Sequence, residues 1–327
     1  SGNISDSVGN IPREVTISNC YFSGNISDGV GGGAIRIYSN CPTTISDCYF
    51  NRNYADCDSN GGAIYNRSSS TIITRCVFSE NYVSEVMMEY GNGGGAICNY
   101  SCSPTITNCV FAGNTAGYYY SPTGYEFGGA IYNVSSSPVI VNCTFYGNES
   151  FSYGGAVYND ATSAPEIINC IFWNNIATNG PEIFNVTGAE PAILYSDIMG
   201  CGGSGASWNV SLGTDGGGNI DSDPLFGAEC HLQAASPCVD AGDPLTDTGS
   251  DIDGESRPQG LGYDMGADEF YDSDEDGIPD YWELQWFAGL DQDEGTDWDN
   301  DGLLDIDEFG YGTNPQNEDS DGDGFTD

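Results

Sequence analysis

The hexapeptide GGAIYN stands at residues 61–66 and returns unchanged at residues 128–133. Near copies read GGAIRI (32–37), GGAICN (94–99), GGAVYN (154–159) and GPEIFN (180–185). A second motif precedes each copy: SNCYFSGN (18–25), SDCYFNRN (46–53), TRCVFSEN (74–81), TNCVFAGN (107–114), VNCTFYGN (141–148) and INCIFWNN (168–175). Its cysteine falls at Cys20, Cys48, Cys76, Cys109, Cys143 and Cys170, at spacings of 28, 28, 33, 34 and 27 residues. Self-similarity at this period marks stacked units, none able to bury its own apolar face. TIITRCVF and GGAIYN are short β-prone runs of alternating polarity, set apart by Ser, Asn, Gly and Pro. Such a unit is one coil of a parallel β-helix. The fold class is therefore all-β, a solenoid whose coils pair at ~4.8 Å.

Before the ladder cysteines stand Asn19, Asp47, Arg75, Asn108, Asn142 and Asn169. Asn and Asp tolerate the left-handed backbone of a sharp bend, and Arg75 departs from that preference. The cysteine and the phenylalanine two residues on are expected to stack inward. The thiols are expected to stay reduced, because parallel Cβ vectors disfavour bridging between coils. Cys98 with Cys102, and Cys230 with Cys238, are the other candidate pairs. The glycine pair allows a tight turn before inward Ile64, so the hexapeptide reads as scaffold. N-x-S/T sequons include those at Asn3, Asn25, Asn66, Asn99, Asn133, Asn148, Asn185 and Asn209. Asn66, Asn99, Asn133 and Asn185 share one repeat slot, which a hydrogen-bonded Asn ladder explains without a glycan.

The GGAI and FxxN motifs, over about residues 10–190, resemble the repeats of polymorphic outer-membrane autotransporter passengers. The resemblance implies a right-handed parallel β-helix, of the same broad class as pectate lyases. AILYSDIMG (192–200) aligns with EIINCIFWN, placing Ser196 in the cysteine slot. GGGNIDSDPLF (216–226), HLQAASPCVDAGDP (231–244), DIDGESRP (251–258) and DMGADEF (264–270) follow in order. This succession resembles the end of bacterial secreted β-helix proteins of the choice-of-anchor type. It implies degenerate coils over 191–270 and a secreted or cell-surface location.

The chain carries 49 acidic residues, six arginines and no lysine, for a formal charge of −43. That charge repels nucleic acid and anionic membranes and invites divalent cations. No apolar run is long enough to span a membrane, and no signal peptide is seen. Ser1 is not an initiator Met, so the chain reads as a mature form or a fragment.

Residues 271–327 hold 20 of the acids. DSDEDGIPDYWE sets Asp272, Asp274, Asp276, Asp280 and Glu283 at loop positions 1, 3, 5, 9 and 12, with Gly277 at 6 and Ile278 at 7. DWDNDGLLDIDE repeats this with Asp297, Asp299, Asp301, Gly302, Leu303, Asp305 and Glu308. DSDGDGFTD begins a third loop with Asp319, Asp321, Asp323, Gly324, Phe325 and Asp327, without position 12. This is calcium-loop spacing. Alternate carboxylates converge, glycine permits the sharp turn, position 7 offers its carbonyl, and Glu at 12 binds bidentately. Hard oxygen ligands favour Ca²⁺ over zinc or copper. A solvated charge run is the competing reading. The segment resembles thrombospondin type 3 repeats and, more distantly, dockerin loops. YWELQWFAG (281–289) reads as a short helix whose Trp282 and Trp286 pack the tail.

Catalytic candidates are thin. A polysaccharide lyase needs a Lys or Arg base near calcium. The arginines at 13, 36, 52, 67 and 75 are scattered along the repeats, and Arg257 lies in a turn that the resemblance makes structural. Asp56 and Asp58 lie close in sequence as a carboxylate pair for hydrolysis, and a solvated loop is the alternative. His231 is the sole histidine, and packing is its expected role. The two long repeats insert YVSEVMMEYGN (82–92) and TAGYYYSPTGYEF (115–127), presenting Met87, Met88, Tyr90, Tyr118, Tyr119, Tyr120 and Tyr125. These form a patch for glycan or protein, or merely pack on each other. The expectation for function is a non-enzymatic, secreted, calcium-binding structural protein of surface, matrix or filament. The rivals are a carbohydrate-active β-helix and a glycan-binding adhesin. SGNISD at residues 1–6 repeats residues 23–28, so the chain begins in mid-coil. Head-to-tail self-assembly into a filament is expected there, with a fragment as the alternative.

Overall fold

In a computed structural model of the protein, the described residues are 2–4, 14–29, 31–38, 41–56, 61–84, 92–117, 126–246, 248–274, 276–287, 289–290, 292–293, 295–320 and 324–327, with backbone alone at 2–4 and 92. Short strands stack coil on coil into three parallel sheets. The hexapeptide supplies the first, with Gly2–Ile4, Ile35–Tyr38, Ile64–Arg67, Ile97–Tyr100, Ile131–Val134, Val157–Asn159 and Ile183–Asn185 paired in that order. Register is exact from coil to coil: Ile35, Ile64, Ile97, Ile131, Val157 and Ile183 lie opposite one another. The second sheet holds two strands per coil, such as Thr71–Thr74 and Val77–Ser79, which merge in Thr105–Ala112 and Val139–Tyr146. The third is built on pairs such as Tyr54–Ala55 with Tyr82–Val83.

The bend between the two strands of the second sheet sits on the residue before the cysteine. Asn19, Asp47, Asn108, Asn142 and Asn169 have φ of 49–54°, and Arg75 has 47°. Arg75 accepts this backbone while its guanidinium bonds Asp47 at 2.7 Å and Ser250 at 3.3 Å. The second glycine of GGA is fixed by close approach. A Cβ on Gly62 would stand 1.9 Å from the Gly95 carbonyl, and one on Gly95 would stand 2.0 Å from that of Gly129. The hexapeptide is scaffold: its glycines let coils touch and its Ile enters the core.

That core is a set of one-residue ladders. Phe22, Phe50, Phe78, Phe111, Phe145 and Phe172 stack at 4.9, 4.8, 4.8, 4.7 and 4.5 Å with rings within 5° of parallel. Beside them Cys48, Cys76, Cys109, Cys143 and Cys170 are buried free thiols. Each donates to the carbonyl two residues back, at 3.0–3.3 Å. Burial pushes the Cys109 and Cys170 thiols well up. Cys20 differs from expectation: it lies exposed at the end of the stack among the described residues. Cys98, Cys102, Cys230 and Cys238 are also free, so neither candidate pair is bridged. Ser196 takes the cysteine slot, its Oγ donating to Leu194 as the thiols do.

Two asparagine ladders run beside the core. In the FxxN ladder, the Oδ1 of Asn53, Asn81, Asn114, Asn148 and Asn175 accepts from the backbone N–H and Nδ2 of the preceding rung. The hexapeptide asparagines Asn66, Asn99, Asn133, Asn159 and Asn185 bond in sequence at 2.9–3.5 Å. Asn66, Asn99, Asn133 and Asn148 are fully buried, which bars a glycan from those sequons in the folded chain.

Near the last coils, Glu182 is buried with its carboxylate on Asn175 Nδ2. Burial pushes this carboxyl up to about 8 from its ordinary 4.5. A raised carboxyl favours the fold only while neutral. Its contribution is therefore full below the unfolded value and declines as pH rises toward 8. Glu182→Gln keeps the acceptor and removes the charge. It is expected to add ~1–3 kcal/mol of stability at about pH 9 and little at about pH 4, measured by denaturant unfolding. An equal change at both pH values would count against the buried charge.

Coiling continues through Thr214–Asp215 and the Asp197–Ile220 bridge. The expected degenerate coils beyond it are not formed. Residues 223–270 hold no strand among the described residues, only isolated bridges. They double back as a strap along the outside of the second sheet. Ala267 N–H reaches Thr144, Gly266 reaches Asn169, and Thr248 bonds both Asn142 and Asn108. The physical reason lies in its acids. Asp251 accepts from the N–H of Asp253, Gly254 and Glu255, Asp264 from Asp240 and Phe270, and Glu269 from Gln259 and Asp264. Carboxylates thus satisfy the backbone that a further coil would otherwise pair. Arg257, buried against Glu269 at 2.9 Å and the Gly266 carbonyl at 2.8 Å, holds the turn.

Candidate metal centre

The acidic tail folds around two short helices, α1 (Asp280–Trp286) and α2 (Asp305–Tyr311). Each begins at loop position 9, so positions 9 and 12 lie one turn apart on one face. α1 agrees in place with the expected helix; α2 is a second that the sequence reading missed. Ile278, Trp282 and Phe309 form a small buried cluster, with Tyr281, Trp286, Phe287 and Ile306 packed on it.

The described residues of the three loops repeat several backbone features. Gly277, Gly302 and Gly324 have φ of 96, 107 and 93°. The N–H at position 2 donates to the carboxylate at position 9: Ser273 to Asp280 at 2.7 Å, Trp298 to Asp305 at 3.1 Å, and Ser320 to Asp327 at 2.9 Å. The N–H at position 7 donates to position 5: Ile278 to Asp276 at 2.8 Å and Leu303 to Asp301 at 2.7 Å. The position 6 N–H donates to position 1: Gly277 to Asp272 at 2.8 Å and Gly324 to Asp319 at 2.9 Å.

These bonds aim the remaining oxygens inward. Ligand atoms of Asp272, Asp274 and Asp276 lie within 4.8 Å of one another, as do those of Asp274, Asp280 and Glu283. In the second loop Asp297, Asp299 and Asp301 do the same. Asp276 Oδ2, Glu283 Oε2, Asp297 Oδ1, Asp299 Oδ2, Asp305 Oδ2 and Glu308 Oε2 are buried with no hydrogen-bond partner. Burial and neighbouring carboxylates push Glu283 and Glu308 up to about 7. Converging buried oxygens that lack donors fit a hard cation, which would satisfy them together. At position 7, the Ile278 side chain is buried, Leu303 half-buried and Phe325 exposed, so only their carbonyls suit that role. Asp321 and Asp323 lie outside the described residues. One contact had no sequence signal: the Asp327 N–H donates to Asp301 Oδ2 at 3.1 Å, joining the third loop to the second.

The tail meets the strap through Tyr281, whose ring stacks on His231 at 4.8 Å. His231 Nε2 stands 2.8 Å from Asp253, so the expected packing role is only part of its setting. Beyond it opens a groove of about 840 Å³ between strap and second sheet, whose lining includes Tyr21, Tyr49, Asp47, Arg75, Glu80 and Asp253. Asp47 there is tied to Arg75, and Glu80 to Arg52. Asp58, Met87, Met88, Tyr90, Tyr118, Tyr119, Tyr120 and Tyr125 lie outside the described residues, although the flanks of the two insertions pair, Asn92 with Glu126 and Gly93 with Phe127. Among the described residues no helix is long and apolar enough to cross a membrane.

The family model described as right handed beta helix region matches residues 3–206. No curated protein and no solved structure matches the chain.

Proposed function

The chain belongs to the right-handed β-helix family, and we propose that it is a calcium-binding structural protein of the cell exterior, a rigid solenoid carrying a calcium-folded tail. The observation that carries calcium is the set of buried, donor-free carboxylate oxygens repeated in two loops. Asp272, Asp274, Asp276, Asp280 and Glu283 would hold one ion, and Asp297, Asp299, Asp301, Asp305 and Glu308 another. Oxygen-only ligands in that number suit Ca²⁺. A structural role is supported by the interior, which is spent on ladders, and by arginines bound to acids or stacked over tyrosines: Arg36 and Arg67 lie over the Tyr38 ring. A second reading, carbohydrate binding, draws on the groove and its stacked Tyr21 and Tyr49, rings 5.2 Å apart.

Calcium titration of the intact chain by calorimetry tests the first reading. At least two ions per chain are expected. Glu283→Gln and Glu308→Gln should each remove one, since each loses the bidentate ligand. A titration showing no binding, or one unchanged by both substitutions, rejects it.

A further inference from the structure

His231 is oriented by its neighbours in an unusual way. Its Nδ1 lies 2.9 Å from the Ala228 carbonyl, which can only accept, so Nδ1 carries the proton. Burial disfavours a charge on the ring, but Asp268 and Asp253 outweigh it and push the pKa up to about 10, so without a metal a second proton sits on Nε2. Nε2 faces Asp253 Oδ2 at 2.8 Å and Asp268 Oδ1 at 4.0 Å, and all three atoms lie within 4.8 Å of one another. Their convergence needs a positive charge at its centre, either the Nε2 proton or a metal that displaces it. A proton on Nε2 would bond Asp253 but leave Asp268 Oδ1 bare. Asp268 is only 3% exposed, its Oδ2 is held by Leu232 N–H at 2.7 Å, and its Oδ1 is buried with no hydrogen-bond partner.

We propose that His231, Asp253 and Asp268 bind a first-row divalent transition metal of the zinc type, apart from the acidic loops. One imidazole and two carboxylates suit zinc chemistry, whereas an imidazole is a poor ligand for calcium. Ligand atoms on a tetrahedral zinc stand about 3.3 Å apart, and the observed 2.8 and 4.0 Å bracket that spacing. The supporting contacts are those metal sites use: a backbone carbonyl on the distal ring nitrogen and an N–H on the second carboxylate oxygen. Tyr281 of α1 closes one face of the ring. His231 and Asp253 also line the groove, so open metal positions would meet solvent and any ligand lying there.

The test uses the full chain with its acidic loops first saturated by calcium. Zinc uptake is measured by equilibrium dialysis, and cobalt is added to report the ligand type by its spectrum. One zinc per chain is expected, with calcium in excess unable to displace it. Asp268→Asn should weaken uptake by about 10–100-fold, and His231→Ala by more. Asp268→Asn keeps an acceptor for Leu232, so it remains informative if His231→Ala fails to fold. No zinc uptake by the wild type, uptake unchanged in both variants, displacement by calcium, or a thiolate band in the cobalt spectrum would each overturn the site.

Discussion

Removing calcium with a chelator is expected to expose residues 271–327 to proteolysis while the solenoid stays folded. The tail's own core is three buried side chains, Ile278, Trp282 and Phe309. Burying an aliphatic or aromatic side chain is worth about 1.5–3 kcal/mol, so the cluster supplies under ~10 kcal/mol before chain entropy is subtracted. Ordering a tail of this length costs several times that, at about 1–2 kcal/mol per residue for the backbone alone. Without cations, the inward carboxylates of the first two loops also repel one another, and six of their buried oxygens lack donors. Bound ions reverse both terms, because binding free energy at such sites is folding free energy. The solenoid shares none of this dependence; its ladders hold without ions. Digestion with and without chelator, read by mass spectrometry, should give a stable core ending near residue 270 only in the chelated sample. Equal resistance in both samples would mean that aromatic packing and docking of Tyr281 on His231 suffice.

The solenoid was legible in the sequence because each rung repeats a residue type at a nearly fixed spacing. Cys76, Phe78 and Asn81 return one coil later as Cys109, Phe111 and Asn114, and periodicity alone marks them as facing one way. Arg75 shows that context overrides propensity: its left-handed backbone follows its neighbours above and below, with Asp47 and Ser250 as side-chain partners. The strap is not legible in the sequence because it lacks a period. Its structure rests on carboxylates reaching backbone N–H groups far apart in sequence, such as Asp268 to Leu232. The grouping of His231 with Asp253 and Asp268 was hidden for the same reason, since the two aspartates stand 22 and 37 residues from His231 along the chain. The loops lie at the other extreme: the carboxylates that converge stand within twelve consecutive residues, so their spacing is legible along the chain.

Replacing Phe111 by alanine should be the costliest single change in the solenoid. Its ring lies midway in the stack, 4.8 Å from Phe78 and 4.7 Å from Phe145, and is fully buried. Losing a buried phenylalanine costs about 3–5 kcal/mol, because coils fixed by backbone pairing cannot collapse into the space. Two ring contacts are lost as well, at about 0.5–1.5 kcal/mol each. Since every coil is stabilised only by its neighbours, the loss weakens the interfaces on both sides. Phe22, half-buried and stacked on Phe50 alone among the described rings, should cost distinctly less as Phe22→Ala. Ile72→Ala, on the outward side of the same sheet and 49% exposed, should stay within about 1 kcal/mol of wild type. Equilibrium unfolding in denaturant ranks the three variants. A Phe111→Ala cost no larger than that of Phe22→Ala would show that stability is not transmitted rung to rung through the aromatic ladder, and that the two asparagine ladders carry the coil-to-coil coupling instead.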